Sequence, residues 1–326
     1  MSMTMKQLRA FALVAKLGSL RAAAESLGIS EPAVSSAIAS LRLDLGDQLF
    51  LRSGAGIALT PGGRALAGHA QEIVGLADQI RWEVSHAETS APGLRVLVTG
   101  AFGEHAAGRL LDAFSRRAPG LSVDVEMVVE SAHDVSALLQ EHAYDVALGS
   151  RIPIRGGGMN LSSVPFLRYH RVLVAAPGHP LAQLNGPVPL SRLPAAPWFT
   201  GPIGVEEFTS EGDWLAALPE LPDLVALSSE TDALAAVRAG EGIMLALAHI
   251  VRQEVADHSL ASLPVPGLPV PGLWWATTLD GERASPAART LQRFVTTAEA
   301  TAAMLAPGGS RGLARRGSRV HVALWS

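Results

Sequence analysis

The stretch of sequence that decides the fold is LRAAAESLGISEPAVSSAIASLRLDL, residues 20–45. Its apolar side chains recur at helical spacing on both sides of Gly28, which predicts two short helices joined by a turn of about four residues. Ala24 has to be small where the helices cross, Gly28 can adopt the left-handed conformation of the turn, and Val34 fills the core behind the second helix. Ser30 is the candidate N-cap of that helix. This pattern is typical of a helix-turn-helix; an ordinary helical hairpin is the alternative.

The flanking sequence extends the pair into a winged helix-turn-helix. Residues from Thr4 to Leu17 place apolar side chains at helical spacing, with Thr4 as a cap and Gly18 as a stop, and so predict a preceding helix. The segment Leu49–Leu59 has two glycines near its centre and predicts a short hairpin, the wing. We therefore expect a DNA-binding domain over residues 1–62.

A long linker helix is predicted after the wing. Thr60 is its candidate cap, Pro61 suits its first position, and the helical pattern continues to about Glu88. Seven-residue spacing places Leu66, Ile73 and Ile80 at one core position and Ala70, Ala77 and Val84 at the other. We expect residues 63–90 to dimerise through Leu66, Ile73 and Ile80. The alternative is that this stripe packs on its own domain.

Beyond a Pro-Gly break at Pro92, apolar strands alternate with helices, which predicts a parallel α/β sheet. The expected strands are residues 94–98, 121–128, 144–148, 172–176, 197–199, 223–227 and 243–247. They divide into two lobes of similar build, one after the other. A final helix is expected over Pro286 to Leu305, followed by a disordered basic tail, residues 307–326.

Charge and composition agree with a small DNA-binding head on an acidic body. The net charge of the 326 residues is −4, but residues 1–62 carry +2, residues 63–306 carry −10, and the tail adds four arginines. The absence of cysteine excludes disulfides and thiolate metal sites. No signal peptide or apolar run of membrane-spanning length is visible, so we expect a cytoplasmic location and no membrane partner.

Residues 5–66 resemble the LysR-type transcriptional regulators. The matching positions are Leu8, Arg9, Phe11, Val14, Ala15, Gly18, Ser19, Ala22 to Ala24, Leu27, Ser30, Pro32, Ala33, Val34, Ser35, Ile38, Leu41, Leu45, Gly46, Leu49, Phe50, Arg52, Leu59, Thr60 and Gly63. The C-terminal half adds family-like stretches at residues 144–147, 179–182 and 239–243.

The resemblance implies a regulator with its motif at about Leu20–Ala39 and an effector domain, residues 93–303, of the periplasmic-binding-protein type. In such a domain the chain crosses between lobes twice, here near Val164–Leu167 and Leu263–Pro266. Lobe one would combine residues 93–164 with 267–303, and lobe two would be 167–263. The implied partners are operator DNA, a small-molecule effector, further copies of the chain as a dimer or tetramer, and RNA polymerase. Neither enzymatic activity nor a cofactor or metal is implied.

The resemblance also implies DNA contacts from the second helix of the motif, at Ser30, Pro32, Ser35 and Ser36. The position before Pro32, usually glutamine in the family, is Glu31 here. A carboxylate can accept a hydrogen bond from cytosine but cannot donate to adenine, so Glu31 either reads a base or only favours the helix dipole. Two further departures are Ser36, where the family often has arginine or lysine, and Arg42 in place of glutamate. The candidates for phosphate contacts are therefore Arg52, Arg21, Lys6 and Arg42.

Effector residues are expected beyond the carboxyl ends of the strands, where open α/β sheets bind ligands. The candidates are Thr99, Phe102, Ser131, Thr200, Ile203 and Thr231. Hydroxyls and helix N-terminal amides bind anions, so a small organic anion is the favoured effector, with Phe102 and Ile203 contacting an apolar part. The alternative is that these residues are caps and turns that any α/β fold needs.

Two other functions remain open from the sequence. A solute-binding protein or small enzyme could use the N-terminal helices as an adaptor, although the wing, the heptads and the missing signal peptide disfavour it. A constitutive DNA-bending protein would use the α/β part only as a scaffold. No catalytic constellation stands out, and the histidines show no metal-ligand spacing.

Overall fold

The computed structural model describes residues 3–53, 56–86, 93–127, 132–152, 161–205 and 209–306. Ser131, the break at Pro92 and the tail of residues 307–326 lie outside these ranges. The chain divides into two compact units, an N-terminal helical unit and a C-terminal α/β unit.

The N-terminal unit is a winged helix-turn-helix followed by a long helix. Its elements are α1 (Met5–Leu17), α2 (Leu20–Leu27), α3 (Glu31–Leu45), β1 (Phe50–Ser53), β2 (Gly56–Leu59) and α4 (Pro61–His86). Thr4 caps α1 in a reciprocal capping box with Gln7, and Ser19 caps α2 by accepting from the Ala22 N–H. Gly18 and Gly28 end these helices in the left-handed conformation, each at φ +65°. The predicted caps and stops of α1 and α2 are therefore confirmed.

The core of this unit lies between α1, α2, α3 and α4. Phe11 and Val14 from α1, and Val34 and Leu41 from α3, have no exposed surface. Phe11 also meets Phe50 of the wing, with ring centroids 5.0 Å apart. Packing of this kind fixes which face of α3 points inward, and hence which face remains on the surface.

The C-terminal unit is built on a twisted mixed sheet covered by helices. Its first elements are β3 (Gly93–Val98), α5 (Gly100–Phe102), a π-helical turn (Gly103–Ala107), α6 (Gly108–Arg117), β4 (Ser122–Met127), α7 (Ala132–Gln140), β5 (Val146–Gly149) and β6 (Leu161–Ala175). A 3₁₀ turn (Leu190–Ala195), β7 (Trp198–Thr200), α8 (Ser210–Ala216), β8 (Leu224–Ala226), α9 (Glu230–Arg238), β9 (Ile243–Leu247), α10 (Ala248–Ala256) and β10 (Ala261–Ser262) follow. The last elements are β11 (Val270–Leu279), a 3₁₀ turn (Gly281–Arg283), α11 (Pro286–Phe294) and α12 (Ala298–Leu305).

Two long antiparallel strands join the two lobes of this unit. The order of the described strands is β4-β3-β5-β11-β6-β9-β7-β8, with β10 also paired to β6. β6 and β11 pair from Leu161 opposite Leu279 to Arg171 opposite Val270. The first lobe contains β3 to β5, α5 to α7, α11 and α12; the second contains β7 to β10 and α8 to α10. β6 and β11 run through both.

The sheet is mixed and not purely parallel, which corrects the expectation. β3 pairs in parallel with β4 and β5, as does β7 with β8 and β9, but β6 and β11 are antiparallel to their neighbours. β11 was not predicted because Pro271 and Gly272, both unfavourable in strands, lie near its start. The sequence pattern also does not predict residues 161–171 of β6, nor the helix α10.

Two further boundaries differ from the sequence interpretation. Residues 263–268 contribute Leu263, Val265 and Leu268 to the core of the second lobe, so the chain returns to the first lobe later, within β11. The expected single helix from Pro286 to Leu305 is two helices, because Thr297 caps a new one by accepting from the Ala300 N–H.

Candidate nucleic-acid interface and interlobe site

The exposed face of α3 collects the residues that the sequence selected for base contact. Val34, Ile38 and Leu41 point into the core. The five residues selected for base contact, Ser30, Glu31, Pro32, Ser35 and Ser36, lie at the N-terminal end of α3 and are all exposed, and all but Glu31 have short side chains. Because most of these exposed side chains are short, the backbone of α3 can come close to another molecule.

Ser30 occupies the cap position of α3, but its side chain makes no capping hydrogen bond. This differs from Thr4 and Ser19, whose side chains accept from backbone N–H groups in their helices. Ser30 therefore caps through backbone conformation alone, and its hydroxyl is not used within the helix. Glu31 is the first residue of α3 and lies exposed in its first turn, where a carboxylate favours the helix dipole.

The predicted phosphate-binding residues lie in several different environments. Lys6 is exposed at the start of α1. Arg21 is exposed and pairs with Glu25 one turn later, at 3.0 Å. Arg42 lies half-buried in the last turn of α3, and its Nε has no hydrogen-bond partner among the described residues. Arg52 lies on β1 opposite Ile57, and its side chain is outside the described part of the chain.

Arg64 is a further basic residue beside the wing, and it is not among the predicted phosphate contacts. It is exposed in the first turn of α4, and its Nη1 donates to the carbonyl of Leu59 over 2.9 Å. Gly63 is part of the family pattern, and the position of Arg64 directly after it could have pointed to this residue.

A short polar network holds the wing against the start of α4. Asp47 Oδ1 accepts from the Leu49 N–H at 2.6 Å and from the Thr60 hydroxyl at 2.7 Å, and these bonds lower the pKa of Asp47. Thr60 Oγ1 in turn accepts from the Gly63 N–H at 2.8 Å, as the predicted cap of α4. A Cβ on Gly63 would lie 2.1 Å from the Leu49 carbonyl oxygen, so only glycine fits there.

The predicted dimerisation stripe on α4 divides into two parts. Leu66 is half-buried and packs, with the fully buried Ala70, on the core of its own unit, so the alternative interpretation holds for that end of the helix. Farther along, Ile73, Ile80 and Val84 are 40 %, 52 % and 68 % exposed. Leu66 thus packs in part against its own unit, and its role as a dimer contact stays a prediction.

In the C-terminal unit, a buried ion network lies where β6 passes between the lobes. Arg171 on β6 donates from Nε to Glu211 at 2.9 Å and from Nη2 to Glu230 at 2.8 Å. Its Nη1 donates to the carbonyl of Leu245 at 2.8 Å. The Tyr169 hydroxyl donates to the same Glu211 oxygen at 2.7 Å. The other Glu211 oxygen, Oε2, is buried and has no hydrogen-bond partner among the described residues.

The network strongly perturbs its titratable groups. Burial alone would raise the pKa of Glu230, but the Arg171 guanidinium and His105 outweigh it and hold that pKa at about 2. The two carboxylates likewise raise the pKa of Arg171, against the effect of its burial. His249 shows the reverse case: burial, and then the positive charge of neighbouring groups, lowers its pKa to about 4.

Two adjacent residues of the first lobe reach α9 in the second. Glu104 accepts from the N–H of Glu230 at 2.8 Å and from the N–H and hydroxyl of Thr231 at 3.2 and 3.3 Å. His105 Nε2 lies 3.3 Å from Glu230 Oε2. Glu104, Tyr169, Arg171 and Glu211 were not predicted as site residues, because only the tertiary fold brings them together.

Of the five predicted effector residues that the structure describes, all but one lie at the end of a strand or in the segment that follows it. Thr99 follows β3 and is buried, and a Cβ on Gly149 would lie 2.1 Å from its hydroxyl. Thr200 ends β7 and is 8 % exposed; its hydroxyl has no partner within the described ranges. Thr231 is in the first turn of α9, and Ile203 is half-buried in the loop after β7.

The exception is Phe102, which the sequence suggests as an apolar contact for the effector. Its side chain is 1 % exposed, with its ring 5.3 Å from that of Phe166 and 5.0 Å from that of Trp274. Phe102 belongs to the core of the first lobe, so we do not retain it. Ser131 lies outside the described residues.

The described part of the chain lacks two features, a candidate membrane-spanning helix and a candidate metal cluster. No helix in it has the length and apolar character that a membrane span requires. Nor do three or more histidine, aspartate or glutamate side chains cluster there in a way that could hold a metal ion.

Comparisons with known proteins match both units. Residues 5–64 match the family model described as bacterial regulatory helix-turn-helix protein, lysR family, and residues 87–300 match the LysR substrate binding domain. An uncharacterized HTH-type transcriptional regulator of Mycobacterium tuberculosis is 38 % identical over 99 % of this chain and 100 % of its own length.

Two solved structures share the fold. Full-length LysG from Corynebacterium glutamicum with bound effector Arg aligns with a TM-score of 0.56 at 17 % identity, covering 92 % of this chain and 98 % of that one. Vibrio fischeri DarR in complex with DNA aligns with a TM-score of 0.51 at 20 % identity, covering 91 % and 99 %.

Proposed function

The chain belongs to the LysR family of bacterial transcriptional regulators, and from this premise we propose how its two units take part in regulation. The N-terminal unit is the DNA-binding domain and the C-terminal unit the effector-binding domain of such a regulator. We assign the chain no catalytic activity.

In our proposal α3 enters the major groove of operator DNA. Ser30, Glu31, Pro32, Ser35 and Ser36 face the bases, and the exposure of this whole face supports that orientation. The phosphate contacts come from longer basic side chains around the motif, namely Lys6, Arg21, Arg42, Arg52 and Arg64. Arg21 remains in this set because an exposed ion pair such as that with Glu25 is weak and can give way to phosphate.

We propose that the effector is a small organic anion that binds between the two lobes. The observation that carries this is the first turn of α9, whose amides at Glu230 and Thr231 already hold a carboxylate group at the lobe boundary. The hydroxyls of Thr99, Thr200 and Thr231 supply further donors, and Ile203 is the remaining apolar contact.

We also propose a dimer formed through α4, with Ile73 and Ile80 at its centre. Leu76 and Val84, 46 % and 68 % exposed, extend the same apolar surface. Effector domains would join such dimers into a tetramer, and RNA polymerase is the further partner of the DNA-bound protein. A dimer suits a helix-turn-helix because two-fold operators present two half-sites.

Two measurements on the full chain test the proposed function. Gel shifts at two salt concentrations compare DNA from around the chain's own gene with a random duplex, and tighter binding to the former is expected. Thermal unfolding against a panel of small carboxylic acids should then identify acids that raise Tm and also change operator binding. Equal affinity for both duplexes would contradict operator recognition, and a panel in which no acid changes Tm would contradict an anionic effector.

A further inference from the structure

One face of the ribbon formed by β6 and β11 is covered by helices at both ends and open in the middle. In the first lobe, Leu161 and Leu279 of the ribbon pack with Val135 and Leu139 of α7. In the second lobe, Val174 of β6 packs with α9 and α10. Between these helical layers the ribbon carries three cross-strand pairs at the surface, namely Pro165–Trp275, Arg168–Leu273 and His170–Pro271. We call these six residues the open strip.

The register of the two strands places the side chains of the open strip on one face. Side chains alternate between the two faces along a strand, and residues directly opposite each other share a face. Five residues of the strip are exposed and Trp275 is half-buried, whereas the intervening Tyr169 and Trp274 are buried in the core on the other face. By the same alternation Arg171 and its ion network belong to that other face.

The open strip combines apolar surface with unpaired basic groups. Two prolines, Leu273 and Trp275 supply the apolar surface, and Leu273 is 38 % exposed. The side chains of Arg168 and His170 make no hydrogen bond or ion pair with other described residues, and the strip contains no acidic residue. Apolar surface with a few polar groups is characteristic of small-molecule sites, and here the polar groups favour an anion.

A further cation reaches the open strip from the end of β5. Arg151 lies two residues after β5, and its guanidinium carbon is 5.2 Å from the centre of the Trp275 ring. Such stacking uses the flat face of a guanidinium and leaves the N–H groups in its plane free. Trp275 therefore holds the donor groups of Arg151 at the edge of the strip, where they can bind a carboxylate.

We propose that the open strip binds a small carboxylate with an apolar body, such as an aryl acid. The acid group pairs with Arg168 and Arg151, and the apolar body lies on Leu273 and the neighbouring prolines. This site goes beyond the effector position proposed above, because it lies on the opposite face of β6 from the ion network and uses none of the proposed effector residues.

The size of the open strip favours a small molecule over a protein. At about 3.3 Å per residue, the three pairs extend over roughly 13 Å along the ribbon, with a width of two strands. A stable protein interface buries roughly 800 Å² on each partner, which is several times the area of such a strip. A second copy of the chain would therefore find too little surface here.

Phenylacetate and two partial analogues test the site. Sodium phenylacetate carries both the charge and the apolar body, 2-phenylethanol lacks the charge, and sodium acetate lacks the apolar body. Binding to the full chain is measured by calorimetric titration at constant ionic strength. The variants are Arg168→Gln and Leu273→Ser, both at exposed positions. The control is Arg116→Gln, at an exposed position on α6, which packs on the other face of the sheet.

We expect the wild type to bind phenylacetate at least about tenfold more tightly than either analogue, since each analogue loses one of the two contacts. Arg168→Gln should weaken phenylacetate binding at least about tenfold, because a charge-assisted hydrogen bond is lost. Leu273→Ser should weaken it by about fivefold, through loss of apolar contact, and leave acetate binding unchanged. Arg116→Gln should bind phenylacetate as the wild type does.

Equal phenylacetate affinity in the wild type, Arg168→Gln and Leu273→Ser would overturn the site, as would equal wild-type affinity for phenylacetate and 2-phenylethanol. Absence of phenylacetate binding at millimolar concentration would overturn it too. A change of oligomeric state in Arg168→Gln, measured by light scattering, would make the strip a contact between copies of the chain and the proposal wrong. The effector proposal is judged separately, because an acid that binds at α9 should raise the Tm of Arg168→Gln as it raises that of the wild type.

Discussion

Arg171 and Glu230 form an ion pair in the interior of the effector domain, with 2.8 Å between Nη2 and Oε1. The guanidinium also binds Glu211, so one cation neutralises a buried carboxylate and a largely buried one. The pair joins β6, which runs through both lobes, to the start of α9. This contact at the start of α9 is electrostatic, so it responds to mutation and to pH in ways that the hydrophobic packing of Ala233, Leu234 and Val237 farther along the helix does not.

Removal of the cation should destabilise the effector domain strongly. Arg171→Met leaves Glu211 and Glu230 buried without their partner, which we expect to cost about 3–5 kcal/mol of unfolding free energy. The matched control is Arg238→Met, whose pair with Glu254 at 2.6 Å is largely solvent-exposed and should cost less than about 1 kcal/mol. Urea unfolding followed by tryptophan fluorescence measures both, and similar losses for the two variants would contradict the network.

The stability of the domain should fall in acid over two pH ranges with separate origins. The pKa of His249 is about 4 in the folded chain, below its ordinary value of 6.5, so the unfolded chain binds the extra proton first and stability falls as pH drops from 6.5 to 4. Glu230, with a pKa of about 2 against an ordinary 4.5, contributes stability that is lost below pH 4.5.

The substitution His249→Gln separates these two ranges. It should flatten the dependence of stability on pH between 6.5 and 4 and leave the loss below pH 4.5 in place. His170→Gln, at an exposed position on β6, is the control and should keep the wild-type curve. A His249→Gln curve that still falls between pH 6.5 and 4 would assign that range to another group.

DNA affinity should depend on basic side chains beside the wing. Arg52→Ala and Arg64→Ala should each weaken binding to operator and to random duplex alike. Each should also reduce the slope of log affinity against log salt concentration by roughly one, as the loss of a phosphate contact does. Arg116→Ala, at an exposed position of the effector domain, should change neither. Gel-shift titrations at several salt concentrations measure this slope. An unchanged slope in both Arg52→Ala and Arg64→Ala would exclude these phosphate contacts.

Base selectivity should depend on the exposed face of α3. Ser35→Ala should reduce the preference for operator over random DNA by about 1–3 kcal/mol, the range expected for a base contact. Glu31→Gln should change the base preferred at one position in each half-site if the carboxylate reads a base. Binding-site selection on the wild type and both variants measures this. If Glu31→Gln selects the same DNA sequence as the wild type, Glu31 only interacts with the helix dipole, which is worth about 0.3–1 kcal/mol.

Assembly should depend on the exposed part of the α4 stripe. Ile73→Asp places a charge in the proposed dimer seam, where desolvation without a partner is costly, and should shift the protein toward the monomer. Gln71→Asp adds the same charge about 200° away around the helix and should assemble normally. Light scattering distinguishes them. A dimer or tetramer in Ile73→Asp that binds operator as the wild type does would exclude α4 as the contact.

The sequence by itself determined the N-terminal unit because the information there is local. Caps at Thr4 and Ser19 and left-handed glycines at Gly18 and Gly28 act within a few residues, and the structure has each of them as expected. The need for glycine at position 63 could be predicted only in part. Its place in the family pattern was evident, but the reason for it, close approach to the Leu49 carbonyl, requires the folded wing.

Only the tertiary structure decided the mixed sheet and the interlobe network. β11 contains Pro271 and Gly272, which local propensity counts against a strand, and its pairing with β6 over ten positions outweighs them. Leu66 and Ile73 occupy the same heptad position, yet one packs on its own unit and the other stays exposed, because only part of α4 lies over α1. Glu104 and Thr231 are 127 residues apart, and no spacing rule brings a carboxylate to a helix end at that distance. Burial and long-range hydrogen bonds are properties of the folded chain, so these features follow from its packing and not from any local pattern.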